Sequence, residues 1–303
     1  MAAFPSRVIV RVVVVALMAF GSAKASPYPG KEVARGFSRA PATEPHRIVS
    51  LVPATTEMLF AIGAGDRIVG VSSFDKFPPE VEWLPRLGGL LDPNVERLLA
   101  LKPDLAIVYD TQADLKAQLT AAGIPLFGYV HRGLPDVTQT IRVLGDRLGL
   151  GSQSRDVADR IERDLAAVRA RVAGRPRPKT LLIFGREPGS LRSIDASGGY
   201  GFLHDLLDTA GGDDVLADIH RESVRMSTEM VLARSPEVII ELQYGSSPRE
   251  SDDIGAWRTL PAVPAVKTRR IYVLHGDEFV VPGPRIVIGA RKMAERLHPD
   301  AFK

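Results

Sequence analysis

The feature that most constrains the fold is an uninterrupted helical segment in the middle of the chain. Residues 152–173 contain neither proline nor glycine over 22 positions. Apolar residues recur there at spacings of four, four and three, which places them along one face of an α-helix. These residues are Val157, Ile161, Leu165 and Val168. The helix would be about 30 Å long, so we expect it to connect two domains.

Short apolar runs that alternate with helical segments flank this helix on both sides. The predicted strands before it are 47–52, 68–71, 105–109 and 125–130. The predicted strands after it are 180–184, 238–242 and 271–274. Alternating strands and helices are typical of parallel α/β sheets. The predicted fold class is therefore α/β, with two Rossmann-like lobes at 46–150 and 176–303 joined by a single long helix at 151–175.

The net charge of the chain is concentrated at its N-terminus. The sequence has 39 basic and 36 acidic residues, a formal charge of +3 that would suit a polyanionic partner. Three of the basic residues, Arg7, Arg11 and Lys24, lie within the first 25 positions, which contain no acidic residue. The remainder of the chain is formally neutral, so binding to nucleic acid is not expected.

Residues 1–25 have the three parts of a secretory signal peptide. Basic residues precede an apolar run at 12–20, and small residues at 23 and 25 form a cleavage site. The run is too short to span a bilayer, which takes about 20 residues. We therefore expect a cleaved signal, a periplasmic location and a loose leader at 26–45. The sequence has no cysteine, which predicts that the chain is not a lipoprotein and excludes thiolate metal sites.

A weak internal repeat relates the two lobes at an offset of 133 residues. Residues 94–105 and 227–238 each begin with a residue that can cap a helix and have glutamate two positions later. An apolar helix, a proline, an acid and a buried strand follow in both. Any short helix followed by proline and a strand would share most of these features. The pattern alone leaves open whether Glu96 and Glu229 have a common role.

Motifs of familiar enzyme classes are missing from the sequence. There is no phosphate-binding P-loop and no Gly-x-Ser-x-Gly nucleophile elbow. The six histidines do not occur at metal-ligand spacings. We therefore do not expect an enzyme, and a secreted α/β hydrolase is the less favoured alternative.

Candidate ligand contacts lie just after the predicted strands, because open α/β sheets bind ligands beyond the carboxyl ends of their strands. The candidates mix flat aromatic side chains with a few charges, which suits a large and partly apolar ligand. The alternative is that these aromatic residues only seal the lobes. The candidates are Phe74, Phe77, Tyr109, His131, Arg132, Arg186, Tyr244, Asp277 and Phe279.

Five stretches together resemble the periplasmic substrate-binding proteins of ABC importers for cobalamin, haem and iron–siderophores. The resemblance is closest to the cobalamin-binding branch. The stretches are 47–57, 71–79, 94–105, 227–236 and 282–285. The resemblance implies a class III periplasmic binding protein fold, one ligand held between the lobes, and a permease dimer in the inner membrane as partner. It also implies that one surface glutamate per lobe docks onto permease arginines, and Glu96 and Glu229 match those positions.

The resemblance bears on the ligand as well. Phe74, Tyr109 and Asp277 fall where cobalamin receptors have ligand-binding residues, and the segment 53–57 replaces the usual opening of haem receptors. Cobalamin receptors can also place tryptophan in the ligand site, where this chain has Leu90 and Ser223. A corrinoid is therefore the expected ligand, with haem or a ferric siderophore as the alternative. We expect a monomer with no cofactor and no metal site of its own.

Overall fold

The computed structural model of the chain describes residues 44–244 and 254–303. The predicted signal peptide and nearly all of the predicted leader lie outside the described residues. The described residues divide into two compact units. The N-terminal unit runs from residue 44 to 162 except for 132–134, and the C-terminal unit comprises residues 132–134 and the rest.

The N-terminal unit contains a four-stranded sheet in the order β2–β1–β3–β4, in which every pair is parallel. Its strands are β1 (Ile48–Ser50), β2 (Ile68–Val71), β3 (Leu105–Tyr109) and β4 (Leu126–Tyr129). The helices that alternate with them and follow them are α1 (Pro53–Ala61), α2 (Val95–Ala100), α3 (Ala113–Ala121) and α4 (Leu134–Arg147). β1 is buried throughout, as expected for an inner strand of a parallel sheet.

The long helix predicted from the sequence is α5, Gly151–Val172. Three of the four residues predicted for its apolar face are buried, namely Ile161, Leu165 and Val168. Near the middle of α5, Arg142 of α4 forms ion pairs with Asp159 and Glu162, both at 2.7 Å. The boundary between the two units falls after Glu162, so each unit includes part of α5.

The C-terminal unit contains a six-stranded sheet in the order β10–β9–β5–β6–β8, and β7 pairs with β5. Its strands are β5 (Lys179–Gly185), β6 (Ile194–Ser197), β7 (Asp213–Asp214), β8 (Ser223–Met226), β9 (Val238–Gln243) and β10 (Ile271–His275). Its helices after α5 are α6 (Phe202–Thr209), α7 (Thr228–Arg234), α8 (Pro264–Lys267) and α9 (Ile286–Leu297).

Each unit is an α/β structure, which confirms the predicted fold class. The sequence did not predict β6 and β8, which pair with each other in antiparallel fashion, and β6 is also antiparallel to β5. Both strands are only four residues long and mix polar with apolar side chains, so they lack the apolar run that marks a buried parallel strand. In the part of the chain that the structure describes, no helix is both long and apolar enough to cross a bilayer.

Candidate functional site

The carboxyl ends of β3 and β4 bring three rings together. Tyr109 lies opposite Tyr129 in the parallel register, and their ring centroids are 6.1 Å apart in an edge-to-face arrangement. The ring of His131 stacks on Tyr129 with a centroid distance of 5.7 Å. We call Tyr109, Tyr129 and His131 the aromatic cluster. Tyr109 and His131 are among the candidates from the sequence, whereas Tyr129 was missed because the predicted strand extended to residue 130 and enclosed it.

The aromatic cluster is electrically neutral near pH 7. Burial raises the pKa of Tyr129 well above its ordinary value of 10.0. Burial also lowers the pKa of His131 to about 4. The phenol therefore keeps its proton and the imidazole stays uncharged. The half-buried Tyr109 and His131 can offer flat faces to a ligand, and the buried Tyr129 supports both rings from within the unit. A neutral imidazole is also the form of histidine that ligates metals.

Gln112 connects the aromatic cluster to a neighbouring loop, and no sequence motif pointed to this residue. Its Oε1 accepts a hydrogen bond from the backbone N–H of Tyr109 at 3.0 Å, and its Nε2 donates to the carbonyl of Leu90 at 2.9 Å. The ring of Phe74 packs against Gly89, the residue before Leu90 in that loop. A Cβ built at Gly89 would lie 2.6 Å from Phe74 Cε2. The half-buried Phe74 is therefore linked through this loop and Gln112 to Tyr109.

A buried carboxylate holds the turn that carries Phe74. Asp75 Oδ2 accepts hydrogen bonds from the backbone N–H of Ser72 at 2.9 Å and from its hydroxyl at 2.5 Å. Arg86 Nη1 donates to the carbonyl oxygens of Ser72 and Asp75, at 3.0 and 2.6 Å. Burial raises the pKa of Asp75 to about 6, although hydrogen bonds and the nearby Arg86 act in the opposite direction. Phe77, in the same segment, is exposed.

Replacing Asp75 with asparagine is expected to remove a pH dependence of stability. The pKa of Asp75 in the folded state, about 6, lies above its ordinary value of 3.8. Between those values the folded chain binds more protons than the unfolded chain, so the free energy of unfolding falls as pH rises and levels off above pH 6. The fall attributable to this group is up to about 3 kcal/mol.

Urea unfolding of the wild type and of Asp75→Asn at pH 4.5, 5.5 and 7 measures this difference. The variant should gain stability relative to the wild type as pH rises. The exposed Asp114, replaced by asparagine, is the control and should leave the pH profile unchanged. Parallel pH profiles for the wild type and Asp75→Asn would contradict the assignment.

In the C-terminal unit, two of the predicted residues lie at neighbouring strand ends. Tyr244 follows β9 and Asp277 follows β10, and the last residues of these strands, Gln243 and His275, are paired in the parallel register. Both Tyr244 and Asp277 are half-buried. Their location agrees with the strand-end argument, and their role in binding stays a prediction.

Two predicted ligand contacts belong instead to the core of the C-terminal unit. The Arg186 side chain is 2% exposed, and its Nε donates to Glu241 Oε1 at 2.8 Å. The same oxygen accepts a hydrogen bond from Trp257 Nε1 at 2.5 Å. Phe279 is fully buried, so its ring is not available to a ligand. Both residues follow or adjoin strand ends, but packing within the unit turns their side chains inward.

The two helices of the internal repeat have matching N-termini. Glu96 is the second residue of α2, and Asn94 caps that helix by accepting from the N–H of Arg97 at 2.9 Å. Glu229 is the second residue of α7, and Ser227 caps it by accepting from the N–H of Met230 at 3.3 Å. Both glutamates are exposed.

The ends of these two helices match as well. Lys102 and Ser235 both have positive φ, 48° and 51°, and each directly precedes the proline of the repeat. The acidic side chain after that proline accepts a hydrogen bond from a backbone N–H at the start of another strand. Asp104 accepts from the N–H of Arg47 at 2.8 Å, and Glu237 accepts from the N–H of Lys179 at 3.0 Å. The repeat is thus confirmed as a structural unit that presents one glutamate in each half of the chain.

The described residues contain no group of three or more histidine and acidic side chains that could hold a metal ion. The strand ends of the N-terminal unit present half-buried aromatic rings, which suit contact with a partly apolar molecule. Those of the C-terminal unit present a tyrosine and an aspartate.

A model of the family described as periplasmic binding protein matches residues 48–278. The chain belongs to this family. It is 28% identical over 267 residues to the uncharacterized ABC transporter substrate-binding lipoprotein YvrC of Bacillus subtilis (strain 168), covering 86% of this chain and 82% of that relative. It is also 28% identical over 261 residues to the vitamin B12-binding protein of Yersinia pestis (strain Pestoides F), covering 85% and 88%.

A solved structure agrees with the family assignment. The periplasmic heme-binding protein RhuT from Roseiflexus sp. RS-1, in its apo form, superimposes with a TM-score of 0.72 at 28% identity, covering 84% of this chain and 99% of that one. The resemblance inferred from sequence motifs and the predicted fold class are therefore confirmed. Because the family and these relatives are binding proteins, the present chain is a binding protein and not an enzyme.

Proposed function

We propose that this binding protein is a periplasmic receptor that captures a corrinoid, with cobalamin as the expected ligand, and delivers it to the permease of an ABC importer. The observation that carries the ligand class is the aromatic cluster. The half-buried rings of Tyr109 and His131 lie at the strand ends against the buried ring of Tyr129, and Phe74 is linked to Tyr109 through Gln112. A flat macrocycle gains binding energy from stacking on such rings, and no charged side chain has to be displaced.

Haem or a ferric siderophore is the second candidate. The specific observation in its favour is that the aromatic cluster contains a half-buried imidazole, His131, and a half-buried phenol, Tyr109, side chains of the types that ligate haem iron. Burial keeps the imidazole of His131 neutral, which is the state required of a ligand. The relatives are divided in the same way, since one is named for vitamin B12 and another for heme.

The proposal includes delivery to a permease. Glu96 and Glu229 supply one exposed carboxylate in each half of the chain, at the same position of two equivalent helices. Contacts of such carboxylates with arginines would be charge-assisted and would orient the receptor on a two-fold partner. Export by residues 1–25 belongs to the same proposal. That the chain is not a lipoprotein stays a prediction, because one relative is named as a lipoprotein.

Calorimetry with the chain from residue 26 onward tests the ligand. Titration with cyanocobalamin should give saturable binding of one ligand per chain, and Tyr109→Ala should weaken it by about tenfold through the loss of an aromatic contact. Tyr272→Ala is the matched control, because Tyr272 lies within β10 and away from its carboxyl end. Saturation by haemin or a ferric hydroxamate, with no heat from cyanocobalamin, would replace the corrinoid by the second candidate.

A further inference from the structure

An exposed leucine accompanies each of the two repeated glutamates. Leu99 on α2 is 38% exposed and Leu232 on α7 is 42% exposed. Each follows its glutamate by three positions, so the leucine and the carboxylate are neighbours on one side of a short helix. The two leucines are separated by 133 residues, the offset of the repeat.

The residues just before these leucines show why the leucines face outward. Leu98 and Val231 are fully buried and anchor α2 and α7 to their units. Because successive residues of a helix point about 100° apart, anchoring one of them turns the next away from the core. Eight large apolar side chains are exposed in the described part of the chain. Two of these, Leu99 and Leu232, occupy equivalent positions in the repeat. The same residue type is therefore exposed at the same position of both helices.

We infer that Leu99 and Leu232 are apolar docking contacts, and that each forms with its glutamate a two-residue docking patch for one permease subunit. The inference rests on the proposed delivery to a permease and extends it from charge to apolar contact. The patches are Glu96 with Leu99 and Glu229 with Leu232. A partner that meets both must present the same surface twice, a cationic group beside an apolar pocket, which is what the two subunits of a permease dimer supply.

A leucine beside each glutamate would supply docking affinity that the charge of the glutamate alone would not. An ion pair that stays exposed to water at the contact contributes little affinity, because water solvates both charges, whereas an ion pair shielded from water contributes more. An apolar side chain that is buried at the contact adds affinity and shields the adjacent ion pair from water. The surroundings of Glu229 favour its ionised state. Hydrogen bonds, above all from the Ser227 side chain, lower the pKa of Glu229, so it is ionised near pH 7.

The test measures docking and ligand binding separately. The importer to which this receptor delivers its ligand is reconstituted in nanodiscs with its permease and ATPase subunits. The affinity of this complex for the receptor is measured by biolayer interferometry. Leu99→Ala with Leu232→Ala should weaken docking by about tenfold, the effect of losing two partly buried leucine contacts. Alanine preserves helix propensity, so the melting temperature and the affinity for cyanocobalamin should match the wild type.

The control replaces one exposed apolar residue in each unit outside the repeat. Trp83 and Ile288 are 88% and 47% exposed, and Trp83→Ala with Ile288→Ala should dock like the wild type. Wild-type docking by the leucine variant, with docking lost by Glu96→Ala plus Glu229→Ala, would overturn the inference and leave the proposed delivery intact. Wild-type docking by both pairs of variants would overturn the two together.

Discussion

Replacing Glu96 and Glu229 with alanine should abolish uptake of cyanocobalamin through the importer while leaving its binding to the receptor unchanged. Each glutamate is exposed at the second position of a capped helix, one in each half of the chain. A charge-assisted hydrogen bond contributes about 1.5–3 kcal/mol, so one substitution should weaken docking at least tenfold and two should weaken it at least a hundredfold. The caps, Asn94 and Ser227, remain in place, so the helices should persist.

Uptake by proteoliposomes that contain the importer, with each receptor variant added in turn, measures this effect. Glu96→Gln with Glu229→Gln separates charge from shape and should fail in the same way. The matched control is Asp114→Ala with Glu295→Ala, which removes one exposed acid from each unit outside the repeat. Full uptake by the glutamate variants would show that the repeat serves only the local fold.

Replacing Glu241 with glutamine is expected to destabilise the C-terminal unit by about 3–5 kcal/mol, because the Arg186 guanidinium would be left buried without its counter-ion. The two side chains are 2% and 1% exposed, and they are joined at 2.8 Å. Glutamine keeps an oxygen that can accept from Trp257 Nε1, so the loss reports on the charge of Arg186. A loss of this size should lower the melting temperature by about 10 °C.

The chain has two tryptophans, which makes the measurement specific. Trp83 is exposed and Trp257 is fully buried against Glu241, so in a Trp83→Phe background the fluorescence reports on the C-terminal unit. Arg186→Met combined with Glu241→Gln should recover most of the lost stability, since no unpaired charge remains. The control, Glu295→Gln, breaks an exposed pair with Arg291 and should cost less than about 1 kcal/mol.

The same double variant also tests the earlier assignment of Arg186. If Arg186 only supports the fold, the double variant should bind cyanocobalamin with the affinity of the wild type. A loss of ligand affinity in a stably folded double variant would restore Arg186 as a ligand contact.

Sequence reasoning succeeded where the signal is local. The long helix followed from the spacing of Ile161, Leu165 and Val168, and the two helices of the internal repeat followed from a cap and a proline at fixed positions. Such signals depend on residues within a turn or two of one another. The short strands β6 and β8 were missed, because antiparallel pairing partners compensate for a weak local pattern.

Residues at strand ends show the limit of the same reasoning. Tyr109 and His131 were both selected as strand-end residues, but Tyr129, which both rings contact, and Gln112 were not foreseen. Phe279 satisfied the sequence criterion as well as Tyr109 did, yet it lies in the core. A position just after a strand predicts where the backbone lies. Whether the side chain is buried or exposed depends on the packing around it.

The sequence by itself determined the α/β class, the long connecting helix, the family and the pair of repeated glutamates. These features depend on periodicity, capping and motif spacing, which are properties of neighbouring residues. The tertiary structure decided which side chains meet. It joined β3 to β4 so that Tyr109 reaches Tyr129, buried Arg186 against Glu241, and turned Leu99 and Leu232 outward. Those outcomes depend on contacts between residues far apart in the chain, and no local pattern encodes them.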